Sequence, residues 1–320
     1  MGSLTVVGTG SISGRTLAHS RCHRATAMEI QHMQLDLFAH GRDAMLRNDA
    51  IAALRRRDAV TGREALAALS AEFPRDGLLA PLEALLNTLA APAERFPGHD
   101  RAADALRSME TVVVPAANTV FGPKEARDWL ASLWRSLASS AAGLSYNLDR
   151  PHTHAASMSL RGGDWPAAEA QVATIASWWR IPTTLAWMTE ARFAQGGLDA
   201  AWCLLAELAW IEASRFSALA RRLEAPALHK LLGEFDAAFE SADEPELVWF
   251  PAWALIAQPS LALVLRETRV CGDTEPERAA RLVMEILTLE RQGRHADLVK
   301  QRKRLRDLHA GLFSRYMSTR

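Results

Sequence analysis

Gly163 opens the octapeptide GDWPAAEA, Gly196 opens GGLDAAWC and Gly233 opens GEFDAAFE. The shared order is glycine, any residue, a bulky apolar residue, two further residues and alanine. Glycine takes the left-handed conformation at a helix C-terminus without a Cβ penalty, so each copy reads as one helix ending and the next beginning. Trp165, Leu198 and Phe235 would open the second helix, and Pro166, Asp199 and Asp236 suit its first turn through fixed φ or favourable charge against the helix dipole. Ala168, Ala201 and Ala238 then admit a neighbouring helix at close range. A chain punctuated this way is built from short helices joined by tight turns.

The remaining sequence agrees with an all-α fold. After the first residues the only cluster of β-branched side chains is TVVVP at 111–115, and apolar residues elsewhere recur at helical spacing. Helices are expected from Leu35 to about Arg57, from Gly62 to Phe73 and from about Leu78 to Leu89. The stretch AAPAERFPGH follows, with two prolines and a glycine, and marks a boundary between a helical cap over 28–92 and a repeat region over 93–320. Gly122-Pro123 starts another helix, on which Trp129, Leu130, Leu133, Trp134 and Leu137 form one stripe.

The first two octapeptide glycines are 33 residues apart and the next two 37, and GRHADLVK at Gly293 is a looser fourth copy. Periods of this length belong to solenoids of helical hairpins. The pattern Gly163-x-Trp165-x-x-Ala168 resembles the tetratricopeptide repeat, and the resemblance covers about residues 150 to 240. It departs from that family in the first helix of each pair, where the favoured aromatic position holds Ser159, Arg192 and His229 and where Pro226 interrupts the third copy. The resemblance implies a right-handed α-solenoid of antiparallel helix pairs with a concave ligand groove. The groove positions would be Arg150, His154, Ser157 and Arg161 on one first helix and Trp187 and Glu190 on the next.

Several function classes lack support in the sequence. Lys+Arg and Asp+Glu are both 37, which leaves no global field to draw nucleic acid or an anionic membrane. Cys22, Cys203 and Cys271 are odd in number and far apart, so no disulfide framework or metal pair is expected and a reducing cytoplasm is the expected compartment. LTVVGTGSISG at 4–14 has its third glycine one residue late for a dinucleotide turn, and no apolar helix follows. Residues 1–27 therefore read as a flexible leader. LVWFPAWALIAQPSLALVL at 247–265 is uncharged over a length that could span a bilayer, but Pro251 and Pro259 make a pair of buried helices broken at Gln258-Pro259 the better reading.

Candidates for chemistry are sparse. His152 and His154 lie two apart at a helix start with no acid or cysteine to complete a metal set, and Cys203 has no visible base. KQRKRLRDLH at 300–309 places five basic residues on one helix without aromatic interleaving, as a solvated capping helix would. The expectation is a scaffold without catalytic residues, metal or cofactor, binding a protein or acidic peptide through the groove residues above. The alternatives are an all-α enzyme using a pocket near His152 and His154, or a nucleic-acid binder through the C-terminal basic helix.

Overall fold

In the computed structural model the described residues are 41–92, 94–238 and 244–320, the side chains of 244–246 excepted. They are helical, with no β-strand among them. The leader expected over 1–27, the start of the first helix at Leu35 and Cys22 lie outside this set. Two compact units are present: the described part of Met1–Ala91 with Val112–Ala126, and Pro92–Thr111 with Arg127–Arg320.

In the first unit α1 covers 41–55, α2 Ala59–Glu72, α3 Leu79–Ala90 and α5 Val114–Phe121. α2 starts three residues before Gly62 because Asp58 caps it, accepting from the backbone N–H of Thr61 at 3.0 Å. Gly62 is instead a buried contact glycine, and an added Cβ would lie 2.4 Å from a methyl of Leu86 in α3. The β-branched run 111–115 is not extended chain. Met109–Val113 forms a π turn leading into α5, at the point where Pro115 lacks the N–H that would complete an α-helical bond.

The second unit carries α4 (His99–Ser108), most of α6 (Pro123–Ala141), α7 (Ala155–Arg161) and α8 (Trp165–Ala173). It continues through α9 (Pro182–Ile211), α10 (Ala213–Arg222), α11 (Pro226–Ala238), α12 (Phe250–Ala257) and α13 (Ala262–Leu265) to α14 (Glu275–Gln292), α15 (His295–Leu308) and α16 (Ala310–Ser318). Consecutive helices pack on one another, notably α7 on α8, α8 on α9, α9 on α10 and α14 on α15.

The octapeptides do not all make turns. Gly163 has φ 67° between α7 and α8, where its N–H donates to the Leu160 carbonyl and that of Asp164 to the Ser159 carbonyl, the Schellman arrangement. In the second copy the break falls one residue late: Gly197, not Gly196, has φ 69° and ψ −160°, a region open essentially to glycine alone. In the third copy the expected turn is absent. Gly233 lies inside α11, because the buried stripe Leu228, Leu231 and Phe235 runs along the helix past it, and Ala238 is exposed. The looser fourth copy does turn, with Gly293 at φ 66° and the same Schellman bonds.

These conformations separate the glycines by experiment. Gly163→Val and Gly197→Val should each cost about 1–3 kcal/mol, since a β-branched residue is disfavoured at positive φ. Gly233→Ala should add about 0.5–1 kcal/mol, because a helical glycine in open space gains by the change. Urea unfolding of the three variants measures both signs.

The uncharged stretch is core. The segments Leu247–Ala257 and Pro259–Leu265 meet at 105°, and no single helix among the described residues is long and apolar enough to cross a membrane. Phe250 through Ile256 are all buried, with the Trp253 ring among those of Phe235 and Phe250 and beneath the guanidinium of Arg315. The loop after α13 is held by two buried carboxylates. Glu207 of α9 accepts from the backbone N–H of Arg269 at 2.7 Å and from its guanidinium at 3.0 Å, while that guanidinium lies over the Trp178 ring. Glu277 of α14 accepts from the backbone N–H groups of Cys271, Gly272 and Asp273 and from Arg281.

Candidate functional site

Two openings flank the segment 144–154 in the second unit. One is a polar cleft of about 570 Å³ between α4, residues 149–153 and Arg161 at the end of α7. The other is a more apolar groove of about 850 Å³ between residues 142–149 and the outer side of α8, floored by Ile175 and Ile181.

The cleft brings together two of the six expected groove residues, Arg150 and Arg161, with His152 beside them. Neither guanidinium stands alone. Arg150 pairs with Asp100 and Arg161 with Glu110, both from the helical run that begins at α4, and Arg161 also lies 5.2 Å over the Trp134 ring. Asp100 is 86% exposed and Glu110 49%, so both carboxylates are solvated and the pairs are readily exchanged. The Arg150 guanidinium holds the Asp100 carboxyl below the usual carboxylate range. Loss of hydration lowers the pKa of the His152 imidazole and the charge of Arg161 lowers it further, which keeps it neutral at physiological pH.

The other four expected residues are placed elsewhere. His154 and Ser157 are buried, His154 as the N-cap of α7, where Nδ1 accepts from the backbone N–H of Ala156 at 3.3 Å. Trp187 is buried too, at 8% exposure, so it presents no open apolar anchor. Its ring stacks on His154 with centroids 6.5 Å apart and meets Tyr146 edge-on at 6.2 Å and His152 at 6.4 Å. Glu190 bonds Arg222 at 2.5 Å; burial raises its pKa, and the Arg222 charge only partly offsets this. His152 and His154 line different openings, and among the described residues no group of three or more metal-ligating side chains comes together.

Cys203 donates to the Val264 carbonyl at 3.1 Å, and burial followed by the charge of Glu207 pushes its thiol up to about 11. The same two causes push the Cys271 thiol up to about 12, so both stay protonated at neutral pH. On α15, Arg302 is turned inward to Glu290 and Tyr316, while Lys303 and Arg304 face solvent. The carboxylates of the cleft escaped the sequence reading because Asp100 and Glu110 stand 50 and 51 residues from the arginines they meet. Glu277 did carry a local signal, since Thr274-x-x-Glu277 before an apolar run is a capping-box spacing.

Comparison of the chain with protein-family models, with curated proteins and with solved structures gives no match.

Proposed function

We propose that the chain is a non-catalytic binding module that holds an acidic segment of a protein or peptide partner in the cleft of Arg150 and Arg161, on a scaffold of stacked helix pairs like that of tetratricopeptide repeats. The scaffold part of the reading rests on the Schellman turns at Gly163 and Gly293 and on the consecutive packing of α7 through α12 and of α14 through α16. The observation that carries the binding part is the convergence of two arginine forks at one open cleft, each already occupied by a solvated carboxylate of the same chain. A guanidinium presents paired N–H donors that match a carboxylate, and charge-assisted bonds of this kind are the strong ones. Exposed ion pairs are worth about 0–1 kcal/mol, so a partner's Asp, Glu or C-terminal carboxylate displaces Asp100 or Glu110 at small cost. Asp100 and Glu110 then act as internal competitors that set a threshold for acidic ligands.

Fluorescence anisotropy with labelled octapeptides of acidic, neutral and basic composition tests this. The acidic peptides should bind most tightly, and affinity should fall as salt is raised. Asp100→Asn with Glu110→Gln should tighten acidic binding several-fold by removing the competitors. Equal affinity for all three compositions would refute the reading.

A further inference from the structure

The apolar groove on the other side of 144–154 contains an imidazole whose hydrogen bonding is incomplete. His154 is buried, the residue being 6% exposed. Its Nδ1 accepts from Ala156, which places the proton of the neutral ring on Nε2, and burial, with the charge of His99 second, disfavours a second proton. That Nε2–H has no acceptor among the described residues. Nor is it sealed in the core: the described side-chain polar atoms both sealed and unpartnered are Ser132 Oγ, Trp210 Nε1 and Trp253 Nε1. His154 lines the groove and not the polar cleft, so the groove is its route to a partner.

Further donors stand around the same space. Gln171 accepts from Ser159 through Oε1 at 2.9 Å, which leaves its amide N–H₂ unused. Asn147 accepts through Oδ1 from the backbone N–H of Asp149 at 2.8 Å, leaving its N–H₂ likewise. The rest of the lining is mostly apolar, with Leu144, Tyr146, Leu148, Ile175 and Ile181, and Leu148 stands 72% exposed at the rim. The one charged side chain in the lining is Asp149, which is exposed, so the groove offers an anion no cationic partner. Volume and composition are those of small-molecule sites, which are largely apolar with a few placed polar groups. We infer that this groove binds an uncharged small molecule with an apolar body and a carbonyl acceptor, the carbonyl taking the Nε2–H of His154. Asp149 lines both this groove and the acidic-peptide cleft, but the inference does not depend on the peptide reading.

The test uses the full chain with N-benzylbenzamide, a set of related aryl and cyclohexyl amides, the hydrocarbon bibenzyl and an uncharged apolar octapeptide. Calorimetry should show saturable binding of amides, roughly tenfold tighter than bibenzyl, the worth of one buried hydrogen bond. The side-chain Nε2–H resonance of His154 should move on amide addition. His154→Phe should abolish the preference for amide over hydrocarbon, and Ala170→Trp, at an exposed lining position of α8, should block both probes while leaving the circular dichroism unchanged. Should His154→Phe fail to fold for want of its helix cap, the His154 resonance and Ala170→Trp decide the matter. The inference is overturned if no amide binds, if amides bind Ala170→Trp as well as they bind the parent chain, if the His154 resonance stays still in the bound state, or if the apolar peptide is held in preference to every amide.

Discussion

Replacing Glu277 with alanine should lower the unfolding free energy by about 3–5 kcal/mol, the range for removing one partner from a buried charged network. The carboxylate is buried at the start of α14 and accepts from three consecutive backbone N–H groups, with Gly272 at 3.0 Å and Asp273 at 2.9 Å, and from Arg281 at 2.8 Å. Alanine leaves those donors without an acceptor and Arg281 without its counter-charge. Glu277→Gln keeps one acceptor oxygen and should lose less. Burial alone would raise the pKa of this carboxyl, but the Arg281 bond and the backbone donors outweigh it, so the folded value lies below the usual carboxylate range. Its contribution is therefore complete above the ordinary glutamate pKa and disappears as pH falls through the depressed folded value. Guanidinium unfolding across the acid range should show a shallower loss of stability in Glu277→Ala than in the parent chain.

Trp253→Ala should be comparably damaging, at about 3–5 kcal/mol, because the ring is fully buried and its removal leaves a cavity among Phe235, Phe250 and the α14 side of the core. Trp253→Phe separates packing from polarity. Trp253 Nε1 is buried without a hydrogen-bond partner, so phenylalanine removes a desolvated donor along with part of the ring. The cost of the phenylalanine variant should fall well below half that of alanine. A loss equal to that of alanine in thermal or chemical unfolding would mean that ring volume alone decides stability at this position.

The sequence shows the helical architecture clearly because amphipathic spacing is local information. The break at Gln258-Pro259 was legible for the same reason, since proline removes a donor wherever it stands. The turns were only partly legible. Gly163 is followed by Asp164, which caps the next helix, whereas Gly233 sits on a helix whose apolar stripe runs past it, so the same octapeptide yields a turn in one place and a helix in the other. The groove residues depended on a geometry carried over from a family. Arg150 and Arg161 do share one opening, while the burial of Trp187 comes from Tyr146, His152 and His154, whose meeting no local pattern encodes. The pairing of Asp100 and Glu110 with the two arginines was invisible because it depends on tertiary packing, with α4 lying against residues 151–153 ahead of α7.

The most direct test of the binding reading is anisotropy titration of the acidic octapeptides against Arg150→Glu with Arg161→Glu. Both side chains are solvent-accessible at a cleft, and of the two only Arg161 touches the core, where it lies over the Trp134 ring, so the double variant should stay folded with a modest fall in melting temperature. Acidic-peptide affinity should fall by roughly 100-fold, the loss of two charge-assisted contacts, and the basic peptides should bind in their place. Undiminished binding of the acidic peptides to the folded double variant would contradict the binding reading.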